Sequence, residues 1–144
     1  MALDIYAACP CGSGKKIKFC CGDLAADIER VSRMIDGDQR VAALQLVNQL
    51  LKKHPDRIAL LDLKSSIVMV MSEWEQATET VDRILALQPN HASSLARRSI
   101  LFAIDNQVNE AIPFLQQAVE DLNRPTSQIV AEAFYLVGCA LIDA

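Results

Sequence analysis

Ser72-Glu-Trp-Glu-Gln-Ala77 returns 34 residues later as Asn106-Gln-Val-Asn-Glu-Ala111. Only the final Ala is identical, so the match is one of structural role. The same interval separates Ala43 from Ala77 and Pro55 from Pro89, and it aligns Leu61, Ser65 and Val68 with Leu95, Ser99 and Phe102. A fixed period between 20 and 50 residues is the mark of stacked supersecondary units, each too small to bury its apolar face alone.

Within one period the pattern predicts two antiparallel helices. Over 58–71, Leu60, Leu61, Leu63, Ile67, Val68, Val70 and Met71 cover nearly the whole circumference, as in a helix held between neighbours. Over 74–87, Ala77, Val81, Ile84 and Leu85 recur at three- and four-residue spacing, leaving Glu75, Glu79, Asp82 and Arg83 for solvent. First helices are therefore expected inside and second helices outside. Pro55 and Pro89 cannot continue a helix and should end the second ones. The small residues Ser65, Ala77, Ser99 and Ala111 permit close helix approach.

Period, Ala, small mid-helix residue and boundary Pro together resemble the tetratricopeptide repeat over about 24–144. The resemblance implies an all-α fold, a superhelical stack of seven helices. Lys64 and Arg98 stand where that family usually has Leu. The unit at 24–57 is degenerate, with its stripe Leu24, Ile28, Val31 and Ile35 about one residue out of phase with Ala43 and Pro55. A longer turn is expected at Asn123-Arg-Pro-Thr-Ser-Gln128. Phe134, Val137, Gly138 and Leu141 read as the face of a last first helix whose second helix is missing, which predicts a fragment of a longer array or self-association through the uncapped C-terminal helix. By the family register, Ala59, Asp62, Ser66 and Met69, then Ser93, Ala96, Arg97 and Ile100, line a groove. Only Arg97 matches a position of the family's carboxylate clamp. The small, apolar lining suits an apolar or helical peptide.

Four of the five cysteines lie within thirteen residues, in Cys9-Pro-Cys11-Gly-Ser-Gly-Lys-Lys-Ile-Lys-Phe-Cys20-Cys21-Gly22. Two closely spaced pairs separated by a loop are how a short chain offers four thiolates to a tetrahedral Zn²⁺. Gly12, Ser13 and Gly14 allow the tight turn and bring amide N–H groups toward the sulfurs. Lys15, Lys16 and Lys18 offset the negative charge of a tetrathiolate centre. With only Ile5, Tyr6, Ile17 and Phe19 to bury, this segment needs the ~10–16 kcal/mol that structural zinc supplies. Disulfides are the alternative, but bridging adjacent Cys20 and Cys21 would be strained. C-x-x-C redox spacing is absent, and four Cys leave a metal no open catalytic position.

Cys-Pro-Cys-Gly-Ser-Gly-Lys-Lys followed by Cys-Cys-Gly resembles the SEC-C motif, the small zinc finger at the C-terminus of the bacterial preprotein-translocating ATPase and in many other bacterial proteins. The resemblance covers 9–22 and implies Cys9, Cys11, Cys20 and Cys21 as zinc ligands. Cys21 stands where the translocase usually has His. In that enzyme the motif is implicated in contacting an export chaperone and acidic lipid. No ATPase motif accompanies it here.

Of the 144 residues, 51% are hydrophobic and 22% charged, a profile that excludes disorder over most of the length. No apolar run approaches the roughly 18 residues of a membrane span. The expectation is a cytoplasmic protein divided into a finger at 1–22, net +2, and repeats at 23–144, net −6. His54 and His91 flank unit boundaries and read as last-turn residues complementing a helix dipole. Cys139 reads as a small buried hydrophobe, Trp74 as a packing residue at a helix start, and Val68-Met-Val-Met71 as core. No nucleophile–base set or phosphate-cradling loop is present. The predicted function is a non-enzymatic adaptor with two docking surfaces, finger and groove, for a protein or peptide partner, linked to export or chaperone recruitment. The alternatives are a nucleic-acid or ribosome contact through Lys15, Lys16, Lys18 and Phe19, disfavoured by the small positive footprint, and the regulatory end of a larger enzyme.

Overall fold

The 34-residue period is written into the backbone as well as the sequence. The computed structural model describes residues 4–120 and 128–143; the turn expected at 123–128 lies largely outside the described residues. Seven α-helices are formed among them: α1 Ala25–Asp36, α2 Arg40–Lys53, α3 Ile58–Val70, α4 Trp74–Leu87, α5 Ala92–Ile104, α6 Val108–Val119 and α7 Gln128–Asp143. No strand occurs among the described residues, so the chain is all-α.

Helices α1, α3 and α5 end in the same way. Asp38, Ser72 and Asn106, spaced by 34, all take left-handed backbone with φ of 57, 59 and 58°. The N–H of the next residue then reaches back across the turn: Gln39 to Met34 O at 2.8 Å, Glu73 to Val68 O at 2.9 Å, and Gln107 to Phe102 O at 2.8 Å. This is the Schellman closure, which satisfies carbonyls at a helix end and reverses the chain. The carbonyls of Gln39, Glu73 and Gln107 next accept from Ala43, Ala77 and Ala111, starting each second helix. The turn after α1 is thus fully in register. Only the apolar stripe is out of phase, because Leu24, just before α1, and Ile28 within it join a core that includes the cysteine segment.

The second helices end at the prolines. α2 stops at Lys53 before Pro55, and α4 at Leu87 before Pro89. His54 is the C-cap of α2. His91 departs from expectation: it is the buried N-cap of α5, its ring nitrogen accepting from the Ser94 N–H at 3.3 Å, with Ser94 Oγ 2.8 Å from Nδ1. The reason is that α4 finishes four residues earlier, which puts His91 beyond the boundary, at the position Arg57 holds before α3.

Two compact units are formed, residues 1–80 and 81–144. In the first, α1 packs on α2 and α2 on α3. Val31, Ala43, Val47 and Ile67 form one of its cores. In the second, α5 packs on both α6 and α7, which also touch each other. Ser65 and Ser99 are fully buried, their hydroxyls donating to Asp62 O at 2.8 Å and Ala96 O at 2.7 Å. Ala43, Ala77 and Ala111 have no exposed surface. Arg98 lies over the Phe102 ring and pairs with Asp82 at 3.1 Å.

Several side chains differ from their sequence assignments. In α7 the packed stripe is Val130, Ala133 and Val137, so Phe134 and Leu141 are half exposed; the stripe that meets α5 and α6 begins four residues before Phe134 and passes beside it. Cys139 is half-buried. Of the Val68–Met71 run only Val68 is buried, while Val70 points to solvent. Trp74, the first residue of α4, is largely exposed.

Candidate metal centre

The cysteine segment folds as a loop closed by backbone pairing. Ala8 and Lys16 form an isolated antiparallel bridge; Cys9 N–H donates to Lys15 O at 2.8 Å and Ile17 N–H to Ala7 O at 3.1 Å. Between these arms Gly12 and Gly14 take φ of 70 and 73°, where an L side chain is strained, so glycine lets the loop turn at both positions without that cost. Short 3₁₀ turns at Ile17–Phe19 and Gly22–Leu24 then carry Cys20 and Cys21 back beneath the loop.

The four sulfurs of Cys9, Cys11, Cys20 and Cys21 all lie within 4.8 Å of one another. A tetrahedral centre with metal–sulfur bonds of about 2.3 Å sets its sulfurs about 3.8 Å apart. Cys11 Sγ is 3.3 Å from Cys20 Sγ, and Cys20 Sγ is 4.0 Å from Cys21 Sγ, on either side of that value. The set fits a single soft metal ion. All five cysteines are free thiols, so the disulfide alternative is not realised.

The sulfurs sit in unequal surroundings. Cys9 and Cys21 are 5% and 4% exposed, and burial pushes both thiols up. Burial also raises Cys11, but hydrogen bonds, that of Ser13 foremost and then those of Cys9 and Cys20, outweigh it and bring the thiol down to about 7. Ser13 Oγ donates to Cys20 Sγ at 3.2 Å. Side-chain hydroxyl support of this kind orients and stabilises thiolate ligands.

Two residues that the sequence reading left unassigned complete the surroundings. Arg57, the N-cap residue of α3, donates to both carboxylate oxygens of Asp23 at 2.9 and 2.7 Å, and it works against the burial-driven rise of the Cys21 thiol. The pair holds the Asp23 carboxyl below its ordinary range. The signal was available: Asp23 and Arg57 are opposite charges one repeat apart.

Outside the centre, Phe19 is 68% exposed and Tyr6 51%. Lys16 and Lys18 place their ammonium groups 5.5 and 5.1 Å from the Tyr6 ring, and Lys18 Nζ donates to Tyr6 Oη at 3.1 Å. Lys18 also lies 5.7 Å from the Phe19 ring, whereas exposed Lys15 has its N–H on Ser13 Oγ at 3.3 Å. Tyr6, overlooked as a surface residue, is the hub of this cationic cluster.

The groove residues fall into two sets. On α3, Asp62, Ser66 and Met69 are half-buried, with Ser66 Oγ donating to Asp62 O at 3.1 Å. On α5, Ser93 is half-buried, while Arg97 and Ile100 are buried. Ala59 and Ala96 have no exposed surface. On α7 an apolar set stands open, with Phe134, Tyr135, Leu141 and Ile142 half to mostly exposed. No helix is long and apolar enough to cross a membrane among the described residues. No protein-family model matches the chain, and no curated protein is significantly similar to it in sequence.

Proposed function

We propose that this chain is a non-enzymatic protein-interaction module, a structural zinc finger of the SEC-C type followed by tetratricopeptide-like helix pairs, working in the bacterial cytoplasm. The observation that carries the reading is the convergence of four cysteine sulfurs within 4.8 Å. Thiolate-only donor sets favour Zn²⁺ among the abundant divalent ions, and a shell closed by Cys9, Cys11, Cys20 and Cys21 leaves no position for substrate or activated water. The metal's work is then to hold shape, and binding falls to surfaces.

Two surfaces support the docking role. One is the finger's exposed Lys15, Lys16, Lys18 and Phe19 with Tyr6. The other is the half-buried first-helix set Asp62, Ser66 and Met69 on α3, suited to an apolar or helical peptide; on α5, Ser93 is half-buried and Arg97 and Ile100 add no open surface. Modest affinities at both would multiply through effective concentration. The open apolar face of α7 supports self-association or cover by another chain. Recruitment to protein export follows from the SEC-C likeness alone.

The test is metal analysis of the purified chain followed by affinity capture with zinc retained or chelated. One zinc per chain, and a partner captured only with zinc, would support a finger-borne role; a partner held in both states would assign it to the helices. A chain that takes up no zinc, or whose zinc is lost on substituting Cys139 instead of Cys21, would refute the site.

A second reading, a single-stranded nucleic-acid contact, gains from the ring of Tyr6 beside Lys16 and Lys18, since aromatic and cationic groups together form a stacking platform. The net −6 of residues 23–144 weighs against it. RNA retention that falls steeply with salt would favour it over the protein partner.

A further inference from the structure

We propose that the cysteine loop is the N-terminal cap of the helix stack, so that the metal at its four thiolates, on the reading given above, holds α1 and the start of α3 in place and its loss releases them. A solenoid's first repeat exposes the face that a preceding repeat would cover, and something must cap it. Here the cap is the loop itself. Cys9, Ile17, Cys21 and Leu24 share one continuous buried cluster with Ile28 of α1, Leu50 of α2, and Ala59 and Leu60 of α3, with Cys11 and Cys20 packed against it.

α1 depends on this cluster. Its only buried residues are Ile28 and Val31. Val31 belongs to the separate core with Ala43, Val47 and Ile67, so the N-terminal half of α1 is held through Ile28 in the cluster that the cysteine segment completes. A twelve-residue helix has too little intrinsic stability to persist without such packing.

Arg57 ties the loop to α3. It stands at the entrance of α3, its carbonyl accepting from Leu60 and Leu61, as the His91 carbonyl accepts from Ser94 and Leu95 at the entrance of α5. Its guanidinium reaches back one period to both carboxylate oxygens of Asp23, two residues after the last ligand pair. Through Asp23, Arg57 is thus a positioning residue for the segment that carries Cys20 and Cys21, and what stabilises the helices must stabilise metal binding equally, since linkage is reciprocal.

The experiment is hydrogen exchange on the full chain, zinc-loaded and after chelation, preceded by metal analysis. Amides of α1 and of the first turn of α3 should lose protection together with those of residues 9–22, by at least roughly tenfold, while α5 and α6 keep theirs. Exchange confined to residues 9–22, with α1 unchanged, would overturn the coupling and leave the metal site standing. A chain that holds no metal would overturn both. As a second measurement, competition with a chromophoric chelator should show Arg57→Met binding zinc about tenfold more weakly, the scale of outer-shell changes, with Co²⁺ absorption still that of four thiolates. Arg57→Lys should not restore affinity, because an ammonium cannot span both Asp23 oxygens. Unchanged zinc affinity in Arg57→Met would remove Arg57 from the coupling.

Discussion

Arg57 and Asp23 meet across one full repeat, guanidinium to carboxylate, through two hydrogen bonds of 2.9 and 2.7 Å. Both side chains are partly open to water, so the pair contributes no more than about 1 kcal/mol despite its geometry. The sign of its pH dependence follows from the lowered Asp23 carboxyl. A depressed folded-state value gives stability that is fully present above the unfolded value of about 3.9 and is lost as pH falls through the folded one. Asp23→Asn should therefore cost about 0.5–1 kcal/mol in urea unfolding, and that difference should stay constant between pH 7 and 5. A difference that shrinks already within this window would mean that another group is responsible.

Ser72 adopts φ 59° to close α3, a conformation that glycine enters without strain. Ser72→Gly should raise stability by about 0.5–1 kcal/mol, the relief of left-handed strain exceeding the entropy that glycine adds to the unfolded chain. Ser72→Val should lower it by a similar amount. Paired thermal melts decide the matter; equal stability of the two variants would contradict the assigned turn.

Ala77 and Ala111 occupy the same place one period apart, each without exposed surface. A leucine at either position would have to displace a neighbouring helix, at a cost of about 1–3 kcal/mol. Glu79→Leu, on the exposed face of the same helix as Ala77, should stay within about 0.5 kcal/mol. If the two leucines in α4 proved equally harmless, the helices would not be packed at Ala77.

Helix number, helix boundaries and the four-cysteine set were legible because each rests on local signals: a 34-residue recurrence, prolines at unit ends, and ligand spacing. α4 at 74–87 was expected at those bounds. The face of α7 was not legible, since Ile129, Val130, Phe134, Val137, Leu141 and Ile142 nearly ring the helix and only the positions of α5 and α6 select among them. His91 was misread for a related reason: which side of a boundary a residue falls on depends on where the preceding helix frays. The role of Arg57 lay beyond spacing rules altogether. It depends on a guanidinium crossing from α3 to the cysteine loop, and tertiary contacts of that kind leave only the weak trace of opposite charges one period apart.

Pro113 lies inside α6, at its sixth residue, and its ring faces solvent. Proline there withholds the N–H that would donate to the carbonyl of Asn109 and crowds that carbonyl, an arrangement costing about 3 kcal/mol relative to alanine in a regular helix. Part of this is offset, because proline also restricts the unfolded chain. The ring buries little, so Pro113→Ala removes almost no packing, and Ala111 and Leu115 on the buried face are untouched. The substitution should therefore stabilise residues 81–144 by about 1–2 kcal/mol. Slower exchange of the α6 amides, with the new amide that the substitution creates at position 113 itself protected, would locate the gain in the restored bond. A loss of stability would mean instead that α5 and α7 are fitted to a bend that Pro113 creates, and that straightening α6 breaks their packing.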